Sequence, residues 1–180
     1  MNDNDGWRLQ VHKDNLRVAL LSKNGHDYTD RLPTISAAVS RIAATSLIID
    51  AELTASGADG IPDFMRMRFR KTASPMLCVW AFDLLYIDGV DVRAQSLVAR
   101  KDRLRALITD DPALRFSDGF DDGTRLLAEA ERLRLEGIVS KRRDAPYRSG
   151  TRCGWIKVKC PGWRLRNRDR WKLFEQRSKG

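Results

Sequence analysis

The run Cys78-Val79-Trp80-Ala81-Phe82-Asp83-Leu84-Leu85-Tyr86 constrains the fold more than any other segment. It reads as the most apolar strand of the chain, interrupted by the carboxylate of Asp83. Asp88-Gly89 follows as a hairpin signal. Around this strand the chain reads as hairpins and strand pairs with helices set between them. Leu9–His12 and Arg17–Ser22 are two strands joined by a turn at Asp14-Asn15, and Asn24-Gly25 marks a further turn. Leu47–Leu53 is a strand carrying the carboxylates Asp50 and Glu52. Gly137–Lys141 and Trp155–Lys159 are two more.

Helical spacing appears over Pro33–Ile42, over Ser96–Ile108 and over Asp121–Leu135. In the second of these, Leu97, Leu104, Leu107 and Ile108 form the apolar face, and Arg100, Lys101, Arg103 and Arg105 are expected on the opposite, solvated face. Ser56–Gly60 reads as a loop and Phe64–Phe69 as a short helix. Strand and helix do not alternate regularly, which disfavours a doubly wound parallel sheet. The expected class is α+β, with mostly antiparallel sheets flanked by helices.

Charge is divided unevenly along the 180 residues. From Arg132 onward there are 16 Lys and Arg against 4 Asp and Glu, a net of +12; the residues before hold 17 against 20, a net of −3. A block of this kind neutralises phosphates, which points to nucleic acid or nucleotide; a solvated basic face is the plainer reading. Tyr147, Trp155, Trp163 and Trp171 are interleaved with it, as stacking platforms or as cover for a core. From Arg164 the arginine-rich tail reads as a helix or a disordered arm. No apolar run reaches the roughly 20 residues of a membrane span, and the polar start Met1-Asn2-Asp3-Asn4-Asp5 is no secretory signal. Cys78, Cys153 and Cys160 have neither zinc nor disulfide spacing and read as reduced thiols.

No glycine-rich phosphate loop is present, so any nucleotide must be held by side chains. In Trp155-Ile156-Lys157-Val158-Lys159, alternation puts Lys157 and Lys159 on one face of a strand, roughly 7 Å apart, with Trp155 on that face and Ile156 and Val158 toward the core. Two neighbouring ammonium groups repel unless an anion lies between them, and a phosphate is the obvious candidate; an ordinary half-exposed strand is the alternative. Glu136, just before a buried strand, either holds a divalent metal near a phosphate or closes the preceding helix.

Taken in order, Asp5-Gly6-Trp7-Arg8, Ser22-Lys23-Asn24-Gly25, Asp50-Ala51-Glu52-Leu53, Phe82-Asp83-Leu84-Leu85-Tyr86, Glu136-Gly137-Ile138-Val139-Ser140-Lys141 and Trp155-Ile156-Lys157-Val158-Lys159 resemble the ordered motifs of ATP-dependent DNA ligases. The resemblance is to the adenylation domain of the bacterial ligases of non-homologous end joining, and it runs from about Asp5 to Trp163. It implies an ATP-grasp-like nucleotidyltransferase fold. It also implies ATP with Mg2+ or Mn2+ as cofactors, and nicked or broken duplex DNA and other end-joining repair proteins as partners. The implied place is the bacterial cytoplasm, on the nucleoid when DNA is bound. Carried over residue by residue, Arg8 contacts the ribose or phosphates, Glu52 accepts from a ribose hydroxyl, and Phe82 stacks on adenine. Glu136 binds the metal, and Lys157 and Lys159 hold the α-phosphate. In the family a lysine attacks the α-phosphorus of ATP and carries AMP as a phosphoramidate; AMP passes to a 5′-phosphate and is displaced by a 3′-hydroxyl to seal the nick.

The sequence departs from that pattern at the nucleophile. The family's Lys-x-Asp-Gly is Asp3-Asn4-Asp5-Gly6 here, so Asp3 stands where the lysine is expected. Ala51 stands where glycine is usual and Lys23 where arginine is usual. The expected organisation is an adenylation domain over residues 1–163 that lacks its N-terminal part, followed by a basic tail over 164–180, without an OB-fold domain. The expected function is ATP-dependent DNA sealing in repair and recombination; the alternative is an inactive nucleotide- or DNA-binding relic.

Overall fold

The computed structural model describes residues 7–56, 76–109, 111–133, 135–150 and 154–166. The chain divides into two compact units, one of residues 1–118 with 143–148, the other of residues 119–142 with 149–180.

The first unit is a sheet with order β2-β1-β3-β4-β5, and β6 paired to β4. Its strands are β1 (Trp7–Asp14), β2 (Arg17–Ser22), β3 (Ser46–Ser56), β4 (Met76–Ile87), β5 (Val90–Asp91) and β6 (Leu114–Phe116). All neighbours run antiparallel except β4 and β6, which are parallel. The expected α+β class with mostly antiparallel sheet is what the chain adopts. The β1–β2 turn falls at Asn15 and Leu16, one residue later than expected, with Asn15 at φ 54°. Asp88 (φ 44°) and Gly89 (φ 87°) are both left-handed, as the tight β4–β5 hairpin requires.

One sheet face is apolar because β1, β3 and β4 alternate. Leu9, Val11, Ile49, Ala51, Leu53, Val79 and Ala81 lie in the core with Ile35, Ala38 and Val39 of α1 (Pro33–Ser40) and Leu104 of α2 (Leu97–Leu107). Pro33 sits in the first turn of α1, where its missing N–H costs nothing. The buried Lys13 donates to the carbonyls of Ser40 and Ile42 at 2.9 and 2.5 Å, satisfying acceptors that the end of α1 leaves open. Ser96 caps α2 by accepting from the Ala99 N–H.

Arg100 is not on the solvated face of α2. It is 1% exposed, and at the i+3 position between Leu97 and Leu104 it belongs to the core stripe. Its guanidinium forks onto the Asp83 carboxylate, which is also fully buried, at 2.7 and 3.0 Å.

The second unit holds α3 (Gly123–Arg132), capped by Asp122, then β7 (Gly137–Ser140), β8 (Ile156–Lys159) and α4 (Pro161–Arg166). β7 and β8 form a two-stranded antiparallel sheet. Ile156 and Val158 do not face a core: they are 64% and 36% exposed, and among the described residues no further layer covers that side of the pair. Cys78 and Cys160 are buried free thiols. Of the loop expected over Ser56–Gly60, Ser56 still pairs as the last residue of β3; residues 57–60, the short helix over Phe64–Phe69, Asp3, Cys153 and the tail from residue 167 lie outside the described residues. Among the described residues no helix is long and apolar enough to cross a membrane.

Candidate functional site

In the first unit the sheet face opposite the core carries the polar row. Arg8, Glu52 and Trp80 are in register across β1, β3 and β4, and Arg115 of β6 extends the row. A bulge places Asp50 opposite Asp83 while Ala51 pairs Ala81, so Phe82 opposes no residue of β3. Phe82 is half-buried, and the Arg8 guanidinium carbon lies 5.9 Å from its ring centroid. The structure therefore gathers Arg8, Glu52 and Phe82, three residues expected at a nucleoside, on neighbouring strands of one sheet.

Arg8 is held by Asp50, which accepts from Nε at 2.8 Å and from Nη2 at 2.5 Å. The hydrogen bond to Asp50 is the largest reason why the Arg8 pKa is raised above its ordinary value. The Asp50 carboxylate is fully buried, while the Arg8 side chain remains 42% exposed. The arginine thus presents a fixed, always charged donor group to solvent.

In the second unit Lys157 and Lys159 point the same way, as alternation requires, and both reach one oxygen. Glu136 Oε1 lies 3.0 Å from Lys157 Nζ and 2.9 Å from Lys159 Nζ. The anion expected between the two ammonium groups is thus, in the chain itself, the carboxylate of Glu136. The other oxygen, Oε2, is buried and has no hydrogen-bond partner among the described residues. A buried carboxylate oxygen lacking a proton donor fits a divalent cation, which is commonly held by one or two carboxylates plus substrate phosphates. Lysine ammonium groups also cover two tryptophans of this unit, Lys141 over Trp155 at 3.8 Å and Lys159 over Trp163 at 4.2 Å. The indoles therefore meet cations in this structure.

Gly137 makes the Glu136 geometry possible. It pairs with Lys159, and a Cβ built on it would lie 2.0 Å from the Val158 carbonyl oxygen and 2.8 Å from Lys159 Cα. Only a residue without a side chain lets β7 approach β8 so closely and brings Glu136 beside both lysines. The Cys160 N–H closes the same end by donating to the Glu136 carbonyl at 2.8 Å. Gly137→Ala is expected to part the strands, so that the amides of Ile138 and Val158 exchange with deuterium at least about tenfold faster. Native protection in the variant would contradict this reading.

Sequence reasoning missed Arg100 and Tyr147. Tyr147 is 8% exposed and donates its hydroxyl to Asp50 at 2.9 Å across 97 residues of sequence. A charged residue on a core stripe of α2 and a carboxylate inside the most apolar strand were the available signal for the Asp83–Arg100 pair; nothing local marks the Tyr147 contact.

Residues 4–159 match the family described as ATP dependent DNA ligase domain. The chain is 38% identical over 161 residues to the multifunctional non-homologous end joining protein LigD of Pseudomonas aeruginosa, covering 87% of this chain and 19% of that protein. It is 37% identical over 175 residues to a probable DNA ligase of Mycolicibacterium gilvum, covering 86% of this chain and 33% of that one. Among solved structures, the mycobacterial DNA ligase D complexed with ATP and MES superposes with a TM-score of 0.72 at 30% identity, covering 86% of this chain and 52% of the other. The ligase domain of Mycobacterium tuberculosis LigD gives 0.72 at 31%, with 86% and 51% covered. The chain spans about a fifth to a third of the length of these curated relatives.

Proposed function

The chain belongs to the ATP-dependent DNA ligase family, and on that premise we propose that it is the nucleotide-holding part of a DNA-sealing activity in end-joining repair, one that holds ATP without forming a covalent AMP adduct. The observation that carries this reading is the convergence of Lys157 and Lys159 on one oxygen of Glu136. Like charges at this range need an anion, and a phosphate can take the place the carboxylate holds. Lys157 and Lys159 then donate to the α-phosphate and offset charge gathering on its oxygens.

Arg8 donates to the ribose or phosphates, Glu52 accepts from a ribose hydroxyl, and Phe82 offers its ring to the adenine. Asp50 keeps Arg8 oriented for that contact. Glu136 Oε2 holds the divalent ion, Mg2+ or Mn2+, which supplies charge neutralisation of the phosphates when bound.

The test is the affinity for ATP with Mg2+, measured by calorimetry. Each charge-assisted hydrogen bond contributes about 1.5–3 kcal/mol, so Lys157→Ala with Lys159→Ala is expected to weaken binding by at least about 100-fold. Equal affinity in the variant and the native chain would sink the phosphate assignment.

Duplex DNA is the proposed macromolecular partner, carried by the +12 of the residues from Arg132 onward. Its affinity is expected to fall at least about 100-fold between about 50 and 200 mM salt, with little preference for sequence. Filter binding that is flat across that range would contradict a phosphate-backbone contact.

A further inference from the structure

Two fully buried aspartates, Asp50 and Asp83, lie opposite one another on β3 and β4. Each is neutralised by an arginine, Asp83 by the buried Arg100 and Asp50 by the half-exposed Arg8. Asp50 has an additional partner. The Tyr147 hydroxyl donates to Asp50 Oδ2 at 2.9 Å, and the same hydroxyl oxygen accepts from Arg8 Nη2 at 3.1 Å. With the 2.5 Å bond from Arg8 Nη2 to Asp50 Oδ2, the three groups close a triangle.

Tyr147 is itself well anchored. Its backbone N–H donates to the Arg93 carbonyl at 2.8 Å, and its ring centroid lies 6.0 Å from the Arg100 guanidinium carbon. The segment that carries it, residues 143–148, is tied to α2 by Val98 N–H to the Arg143 carbonyl at 3.1 Å and by Arg100 to the Ala145 carbonyl at 3.2 Å. A side chain in this position has little freedom, so its hydroxyl is a fixed point. The two-point contact with Asp50 aligns the guanidinium with the carboxylate, and the Tyr147 hydroxyl adds a third fixed contact at Nη2.

We propose that Tyr147 is a positioning residue: through the contact it shares with Asp50, it sets the orientation in which Arg8 meets the nucleotide. The inference rests on the reading of Arg8 as a nucleotide contact, and the test separates the two.

ATP affinity is measured for four full-length chains: native, Tyr147→Phe, Arg8→Ala and the double variant. Tyr147→Phe keeps the ring against Arg100 and removes only the hydroxyl. It is expected to weaken ATP binding about 3–10-fold when Arg8 is present, and by less than about 1.5-fold when Arg8 is alanine. A loss of the same size in both backgrounds, or no loss beside Arg8, overturns the inference while leaving Arg8 a nucleotide contact. Native affinity in Arg8→Ala overturns the reading of Arg8, and the inference with it. Should Tyr147→Phe fail to fold, 4-fluorophenylalanine is placed at position 147 instead, in the same two Arg8 backgrounds. It fills the space of the hydroxyl without donating a hydrogen bond, so the same loss of about 3–10-fold beside Arg8 is expected, and native affinity there overturns the proposal.

Discussion

Arg100→Ala is expected to unfold the first unit under conditions in which the native chain is folded. The substitution leaves Asp83 as a fully buried carboxylate without its two guanidinium bonds. It also strips a donor from the carbonyls of Gln95 and Ala145, which Arg100 Nη1 reaches at 2.5 and 3.2 Å. Removing one partner of a buried pair costs about 3–5 kcal/mol, because the survivor cannot regain water. Domains are stable by only about 5–15 kcal/mol, so a large part of the margin goes. The urea midpoint is expected to fall by more than about 1 M. The compensating double replacement, Asp83→Leu with Arg100→Met, removes both charges and is expected to recover most of the loss. A single variant that unfolds at the native midpoint would mean that the pair contributes nothing.

That pair also shows where reading the sequence succeeds and where it stops. Period-2 and period-3.6 patterns located β1 to β4, α1 and α2 within a few residues, because each buries one face and its alternation follows. Charge alone points Arg100 to solvent, but its spacing from Leu97 and Leu104 puts it on the core stripe, and Asp83 inside an apolar strand is its matching half. Ile156 and Val158 were assigned to a core because alternation tells that two faces differ, not that either is covered; in a two-stranded sheet this one stays exposed. The pairing of Lys157 with Lys159 followed from alternation alone, whereas their meeting at Glu136 depended on the close approach at Gly137. The bulge at Phe82 and the contact between Tyr147 and Asp50 are products of tertiary packing and leave no local pattern.

The second large effect concerns the nucleophile. In the family, a lysine Nζ forms the bond to the α-phosphorus, the bond from that phosphorus to the bridging oxygen breaks, pyrophosphate leaves and the amine gives up a proton. By the motif order given above, Asp3 of Asp3-Asn4-Asp5-Gly6 is expected at that position. A carboxylate cannot form the phosphoramidate, and its charge opposes the triphosphate. The native chain is therefore expected to yield no labelled protein when incubated with α-labelled ATP and Mg2+ and denatured. Asp3→Lys is expected to produce a labelled band where none was present, stable to base and labile to acid as a phosphoramidate is. A variant that stays unlabelled would show that restoring the amine is not sufficient.

On the reading proposed above, Lys157 and Lys159 hold the phosphates of ATP and no covalent bond to the chain forms. One labelling measurement addresses that claim most directly. The native chain is incubated with α-labelled ATP and Mg2+, and the sample is divided between a native filter and a denaturing gel. The account predicts label retained on the filter, displaced by excess unlabelled ATP, and absent from the protein band on the gel. Label that survives denaturation on a chain carrying Asp3, or a filter that retains none, would contradict it.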